Sequence, residues 1–168
     1  MSKLCLQAER GKAEAQFRLG AVYYSGNFRF KFGRFLRKKL YVLKVEENPT
    51  EAVRWLQMAV KQKHDKAIRL LGMCYFDGIG VEINWKEAAR LYEKVRGVYM
   101  NETLGEMYEK GGYGLERDLK RAYYEYSETD AGGFYIIQPH HVAEHKLDEL
   151  YELIRQEDPD WKRPARPD

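Results

Sequence analysis

The segment LGMCYFDGIGV, residues 71–81, followed by NWKEAARLYEKV, residues 84–95, decides the fold because both strings recur in this chain. LGAVYYSG begins at residue 19 and LGEMYEKGG at residue 104, and every copy has Tyr three residues after its Leu-Gly pair. The second string has counterparts in NPTEAVRWLQMAV from residue 48 and DLKRAYYEYSET from residue 118. Regular recurrence of such paired strings indicates a protein built from stacked repeats.

Each pair of strings has the pattern of a helical hairpin. Ala15, Leu19 and Tyr23 recur at i, i+4 and i+8, which places them on one face of a helix. A glycine follows the Leu in every copy, in the middle of that helix, where glycine is a poor helix former. We therefore predict that the paired helix approaches closely at three glycines: Gly20, Gly72 and Gly105.

The ends of the predicted helices repeat as well. Glycine adopts the left-handed conformation at low cost and commonly ends a helix. Three glycines are predicted to end the first helices: Gly26, Gly78 and Gly112. Asn and Asp side chains accept hydrogen bonds from the first turn of a helix. Three such residues are predicted to cap the second helices: Asn48, Asn84 and Asp118.

One hairpin cannot bury its apolar stripe alone, whereas a stack of hairpins buries a continuous core. We therefore predict an all-α protein, a short right-handed α-solenoid of antiparallel helix hairpins, as a single domain over residues 1–156. Residues 1–10 are expected to form an N-terminal cap. A helix over about 139–156 is expected to cap the other end, and residues 157–168 are expected to be disordered.

The strings resemble Sel-one-like repeats, relatives of the tetratricopeptide repeat, over roughly residues 1–128. The family pattern is Ala-x3-Leu-Gly-x2-Tyr, then Gly-x-Gly-Val, Asp and Ala-x2-Trp. Repeat two matches it from Ala67 to Ala88, and repeat three departs from it with Glu125 at the place of Trp55. The resemblance implies a scaffold for protein interactions, such as a bacterial adaptor, regulator or toxin-neutralising immunity protein. It does not identify the ligand.

Composition and motifs favour a non-catalytic protein. The 168 residues are 44% hydrophobic and 33% charged, no stretch is apolar enough to span a membrane, and the N-terminus lacks a secretory signal. We therefore expect a cytoplasmic protein in which Cys5 and Cys74 are thiols. The alternative, a hydrolase of the cysteine-rich branch of the family, is disfavoured because that branch carries paired cysteines within each repeat.

No catalytic motif and no phosphate-binding loop is present, so we expect no enzyme activity and no cofactor. His141 and His145 have a spacing that suits a metal, and Asp148 and Glu152 share their predicted helix face. That face lies opposite the apolar stripe of the helix. We therefore interpret it as a solvated polar face and predict no metal site.

The chain's positive charge is concentrated in an insert in repeat one, residues 27–47. The insert has a net charge of +5, whereas the rest of the chain has −2. Its alternating FRFKF pattern favours a hairpin-like protrusion, although the later leucines also fit a helical turn. Three interpretations remain: a surface that recognises an acidic partner, a structural loop, or, less favoured, a single-stranded nucleic-acid site. The candidate partner-binding residues here are Arg29, Lys31, Arg34, Arg37, Lys38 and Lys39.

A second candidate surface follows from the tetratricopeptide analogy, in which one stripe of each first helix faces the ligand. The stripe carries exposed-looking aromatic residues, Met and Arg, which are enriched at protein interfaces. Its candidate partner-binding residues are Phe17, Tyr24, Arg69, Met73, Phe76, Glu102, Glu106 and Glu109. The alternative is that the C-terminal segment of the chain folds back over this stripe.

Overall fold

The computed structural model describes residues 3–25, 46–95, 97–130 and 141–164, and the regular elements in these ranges are all helices. The all-α prediction is therefore confirmed. The chain groups into two compact units, Met1–Leu91 and Tyr92–Asp168, which are described separately below. In chain order the helices are α1 (Lys3–Glu9), α2 (Ala13–Ser25), α3 (Pro49–Lys61), α4 (Asp65–Asp77), α5 (Trp85–Tyr92), a short 3-10 helix (Glu93–Val95), α6 (Val98–Lys110), α7 (Leu119–Asp130) and α8 (His141–Glu157).

Paired helices approach closely at the repeated glycines. A Cβ atom on Gly20 of α2 would lie 2.9 Å from Leu56 Cγ and 3.1 Å from the Ala52 carbonyl oxygen, both on α3. A Cβ atom on Gly105 of α6 would lie 2.9 Å from ring atoms of Tyr126 on α7. These separations are shorter than ordinary van der Waals contact, so only glycine fits without a shift of its neighbours. The predicted reason for the mid-helix glycines is confirmed at both positions.

The three second helices begin in the same way. A side-chain oxygen of the residue before the helix accepts a hydrogen bond from the backbone N–H three residues later, at 3.1 Å for Asn48, 2.9 Å for Asn84 and 2.9 Å for Asp118. Pro49 occupies the first turn of α3, where a missing N–H costs nothing. The predicted caps are confirmed, and they fix where each second helix starts.

The ends of the first helices follow the prediction in one repeat and differ in another. Gly78 ends α4 in the left-handed conformation, as predicted. In repeat three the helix ends at Gly111, whose N–H donates to the Met107 carbonyl, so the assignment of Gly112 as the cap is wrong. Gly112 instead pairs with Leu115 in the tight turn that follows. Gly26 lies outside the described residues.

The turn between α4 and α5 packs against the start of α3. Gly80 in this turn has a φ of +72°, and a Cβ atom there would overlap the carbonyl group of Pro49. The second glycine of the Gly-x-Gly string is therefore required both by its backbone conformation and by contact with the preceding repeat. This contact ties repeat two to repeat one within the N-terminal unit.

In the N-terminal unit, α1 packs against α2 and α3. Trp55 of α3 is buried together with Ala8 of α1 and the packing face of α2. Gln16 is also buried, and its Nε2 donates to the Ala8 carbonyl at 3.1 Å while its Oε1 accepts from Gln62 at 2.8 Å. A buried amide costs little when both ends are hydrogen-bonded. This amide links α1 to the turn after α3.

The C-terminal unit has its core between α7 and α8. Leu147, Leu150 and Ile154 of α8 are buried against Leu119 and Tyr123 of α7. The helix predicted over about 139–156 corresponds to α8, which the structure describes from His141 to Glu157. The loop expected before it, residues 131–140, lies outside the described residues.

Residues 157–168 were predicted to be disordered, yet Glu157 is the last residue of α8 and residues 158–164 lie against α7 and α8. The Trp161 ring meets the Tyr123 ring edge-on with centroids 5.2 Å apart, and its centroid lies 5.8 Å from that of Tyr151. Polar composition suggested disorder, but one tryptophan supplies enough apolar surface to hold this short segment against α7 and α8.

Repeat three buries a carboxylate where its siblings bury apolar side chains. Glu125 of α7 occupies the position of Trp55 in α3 and Leu91 in α5, and its side chain is 0% exposed. Arg121 lies one turn earlier and its guanidinium is 2.8 Å from Glu125 Oε1. The departure from the family pattern noted in the sequence is therefore a buried carboxylate paired with a partly exposed arginine, and such a pair needs good geometry to offset the desolvation of the carboxylate.

Candidate functional site

The exposed face of α4 carries a cation and an apolar side chain one turn apart. Arg69 and Met73 are both exposed, and Met73 is 41% exposed although methionine is usually buried. Three other arginines of this unit, Arg18, Arg54 and Arg90, each form an ion pair with a glutamate three or four residues earlier. Arg69 has no carboxylate partner within the described ranges.

Phe76 lies on the same face of α4, three residues beyond Met73. Its ring stacks on the Trp85 ring of α5 at a centroid distance of 5.3 Å and an interplanar angle of 11°. The Trp85 indole Nε1 donates to the Phe76 carbonyl oxygen at 3.2 Å. Phe76 therefore serves the α4–α5 hairpin and presents only part of its ring to solvent.

Two aromatic residues of α2 were expected to line the same surface, and the structure places them differently. Phe17 is only 5% exposed and stacks on His64 at a centroid distance of 4.9 Å, so the expectation that its ring is accessible is wrong. Tyr24 is half-buried. Burial chiefly raises the pKa of its hydroxyl, and the neighbouring Cys74 and Asp77 of α4 raise it further. Tyr24 thus lies beside the end of α4.

His64 joins the first helices of repeats one and two, and no sequence motif pointed to this role. Its Nδ1 accepts the Ala67 N–H at 3.3 Å as the cap of α4, and its Nε2 lies 3.0 Å from Glu14 Oε2 on α2. Burial alone would raise the pKa of Glu14, but hydrogen bonds from His64 and Arg18 outweigh it and lower that pKa. His64 therefore fixes α4 against α2, next to the exposed α4 face.

The three acidic candidates of repeat three lie in the C-terminal unit and differ in accessibility. Glu102 is exposed, and Glu106 pairs with Lys110 at 2.6 Å. Glu109 is 2.6 Å from Lys146 Nζ of α8 and accepts a hydrogen bond from the Tyr126 hydroxyl at 3.2 Å. The hydrogen bond to Glu109 is the main reason that the pKa of Lys146 is raised. The C-terminal segment therefore does contact this stripe, at Glu109.

The six basic candidates of the insert, Arg29 to Lys39, lie outside the described residues, so their role remains a prediction. The same holds for the side chain of His141, whereas His145 is exposed. In the described ranges, no group of three or more His, Cys, Asp or Glu side chains is arranged to hold a metal ion. No helix described is both long and apolar enough to cross a bilayer.

The two cysteines are not joined by a disulfide in the described chain. Cys74 of α4 is buried, and burial, with a smaller contribution from Asp77, raises the pKa of its thiol to about 12. A thiol with so high a pKa is a poor nucleophile at neutral pH. Cys74 therefore acts as a small packing residue.

Comparison with protein families identifies the repeats. The model of the Sel1 repeat matches residues 13–31, 42–64, 65–94 and 104–124. This chain belongs to the Sel1 repeat family. The first two matched segments are the two halves of repeat one, and the unmatched residues between them fall within the insert. Sel1 repeat proteins are in general scaffolds for protein interactions, not enzymes.

Solved Sel1-type structures share the fold. A protective antigen of uropathogenic Escherichia coli with an SLR fold is 26% identical, with a TM-score of 0.64. A Sel1 repeat protein from Oxalobacter formigenes is 28% identical, with a TM-score of 0.65. The alignments cover 87% and 88% of this chain, but only 27% and 53% of those proteins. The α-solenoid class is therefore confirmed, while this chain spans about a quarter to a half of these longer proteins. A search of curated proteins found no match.

Proposed function

We propose that this Sel1 repeat chain is a non-catalytic scaffold that binds a partner protein through the exposed face of α4. The observation that carries the proposal is the adjacency of Arg69 and Met73, an exposed cation with no ion pair among the described residues, one helical turn from an exposed methionine. Arg and Met are among the residues enriched at protein interfaces. The partly exposed ring of Phe76 extends the apolar part of this surface.

The partner segment that fits this surface carries a carboxylate next to an apolar side chain. The carboxylate would pair with Arg69, and the apolar side chain would cover Met73 and the free edge of Phe76. The basic insert supports an acidic partner as well, since its charge of +5 would attract an acidic surface and speed the encounter. Adaptor, regulator and toxin-neutralising roles in the cytoplasm are all compatible with such a scaffold and stay predictions.

Affinity capture from the native cell tests the α4 surface. We expect the parent chain to retain a partner that an Arg69→Glu, Met73→Ala double variant loses, because both substituted side chains project into solvent and contribute little to folding. Lys86→Glu on α5 is the matched control, since it reverses an exposed charge of the same unit elsewhere. Equal recovery of the partner by parent and double variant, with unchanged helical content, would contradict the proposal.

The insert is tested separately by reversing Arg37, Lys38 and Lys39 to Glu. An acidic protein partner should then associate more slowly, and the difference should shrink as salt is added. A single-stranded oligonucleotide serves as the competing ligand. Tight oligonucleotide binding by the parent with a steep salt dependence, lost in the variant, would favour the nucleic-acid alternative.

A further inference from the structure

The last described residues of the chain form a strap, residues 158–164, which lies against α7 and α8 of the C-terminal unit. Its apolar anchor is Trp161, whose ring packs edge-on to Tyr123 of α7 and at a tilt to Tyr151 of α8. The Trp161 side chain packs against the core cluster that contains Leu150 and Ile154. A single tryptophan therefore accounts for the apolar attachment of the strap.

Charge pairs hold the strap on both sides of this anchor. Asp158 lies 2.6 Å from Lys120 Nζ of α7, three residues before the tryptophan. Arg163, two residues after it, lies 2.7 Å from Asp148 of α8, and its Cζ is 4.1 Å from the centre of the Tyr151 ring. Attraction between the guanidinium and the ring face adds to this contact. The surface formed by α7 and α8 therefore contacts three groups of the strap: a carboxylate, an indole and a guanidinium.

The backbone of the strap takes little part in this attachment. Its hydrogen bonds run from the Asp158 N–H to the Ile154 carbonyl and from the Trp161 N–H to the Asp158 carbonyl. Both bonds stay within the strap or the end of α8, and none of those described joins the strap backbone to α7. Side chains alone therefore recognise this segment, as in many complexes in which one buried aromatic residue anchors a peptide.

We propose that this α7–α8 surface is a peptide-binding site that the chain's own strap occupies. The ligand that would displace the strap is a segment of a partner protein. This segment has a carboxylate three residues before a tryptophan and an arginine two residues after it. The strap itself shows which chemistry the surface accepts. This site lies in the C-terminal unit and is independent of the α4 surface proposed above.

The covalent link between the strap and α8 determines how tightly a free peptide can bind to the site. The strap follows α8 directly, so its local concentration at the site is on the order of millimolar or higher. A free peptide with the same contacts must therefore compete against its tethered copy. We expect weak binding to the parent and binding at least about tenfold tighter once the strap has lost its anchors.

The test uses the full chain and the synthetic peptide EDPDWKRP, which reproduces residues 157–164. The protein variant carries Trp161→Ala and Arg163→Ala, which remove two of the strap's three contacts while leaving α8 intact. Calorimetry should show one peptide bound per variant chain, at least about tenfold tighter than to the parent. The control peptide, with alanine in place of tryptophan, should bind neither protein.

Exchange in the parent is tested by NMR. The chain has three tryptophans, so the indole N–H signal of Trp161 is readily assigned from the Trp161→Ala spectrum. Excess peptide should shift this signal toward the value for a solvated indole. A signal that does not move, or a folded variant that does not distinguish the two peptides, would overturn the proposal. Concentration-dependent dimers of the parent that bury Trp161 would overturn it too, since a second copy would then supply the strap.

If the double variant fails to fold, Arg163→Ala alone provides the second test, because it removes one contact and keeps the tryptophan. We expect it to bind the peptide with an affinity between those of the parent and the double variant. Identical peptide binding by the parent and by Arg163→Ala would show that the guanidinium is not recognised. It would overturn the proposal that the surface recognises all three groups of the strap.

Discussion

The backbone N–H of Asn48 donates a hydrogen bond of 2.9 Å to the carbonyl of Tyr23, although the whole insert separates the two residues in the sequence. Repeats two and three contain the same bond. Asn84 donates to Tyr75 and Asp118 to Tyr108, each at 2.8 Å, across short turns. The residue that caps each second helix is therefore held by the repeat tyrosine, whatever the length of the intervening segment.

The recurrence of this hydrogen bond in all three repeats predicts that the insert can be removed without loss of the fold. A variant with residues 27–47 replaced by the Ile-Gly-Val-Glu-Ile string of residues 79–83 should keep its helical content. We expect its melting temperature to stay within a few degrees of the parent value, because loop length changes closure entropy only slowly. Circular dichroism measures both quantities. Loss of helical content would show that the insert is part of the core.

Helix packing at Gly20 gives a second prediction. Gly20→Ala should gain up to about 1 kcal/mol in helix propensity. We expect overpacking against Leu56 to outweigh this gain, since it typically costs about 1–3 kcal/mol. Combining Gly20→Ala with Leu56→Ala should cost less than the sum of the single changes, because the shorter side chain leaves room for the new methyl group. Strict additivity in chemical denaturation would contradict the close packing.

The pair of partly exposed Arg121 and buried Glu125 predicts that removing the carboxylate and removing the cation have unequal effects on stability. Glu125→Leu restores the residue type found at Leu91, and it leaves a partly exposed arginine that also lies 3.4 Å from Glu93. We expect this change to be neutral or stabilising. Arg121→Met should instead destabilise the C-terminal unit by about 3 kcal/mol, because a carboxylate would stay buried without that cation. Urea unfolding of the two variants compares the costs, and equal costs would contradict the asymmetry.

Acid should loosen the strap before it unfolds the helices. The hydrogen bond from Lys120 is the main reason that the pKa of Asp158 is lowered. Such a group stabilises the bound strap above its ordinary pKa of about 3.9, and this contribution is lost as the pH falls through the lowered value. We therefore expect the Trp161 indole signal to shift below about pH 4 while helical circular dichroism persists.

Two variants separate this titration from general acid effects. Asp158→Asn should show the loosened strap already at neutral pH. Asp160→Asn is the matched control, because it removes an exposed carboxylate of the same strap that has no cation partner in the described structure, and it should behave like the parent. A parent signal that follows the loss of helix at every pH would contradict a separate opening of the strap.

The repeat itself was determined by sequence. The three Leu-Gly-x2-Tyr strings predicted the helix hairpins, and the Asx residues predicted the helix starts, because both depend on contacts within a few residues or on strictly repeated spacing. Gly20 and Gly105 could be predicted to face a paired helix, since a glycine in mid-helix is costly unless close packing requires it. Arg69 and Met73 were placed on one helix face by their spacing alone.

What the tertiary structure decided depends on contacts between residues far apart in the chain. The spacing of Phe17 predicts a surface residue, but His64 stacks against its ring and buries it. Helical periodicity alone does not show which side of a helix a later segment covers. Polar composition predicted disorder over residues 157–168, yet the Trp161 ring packs against the rings of Tyr123 and Tyr151. Local sequence sets the helices and their caps, but the burial of a side chain is set by whichever distant element packs against it.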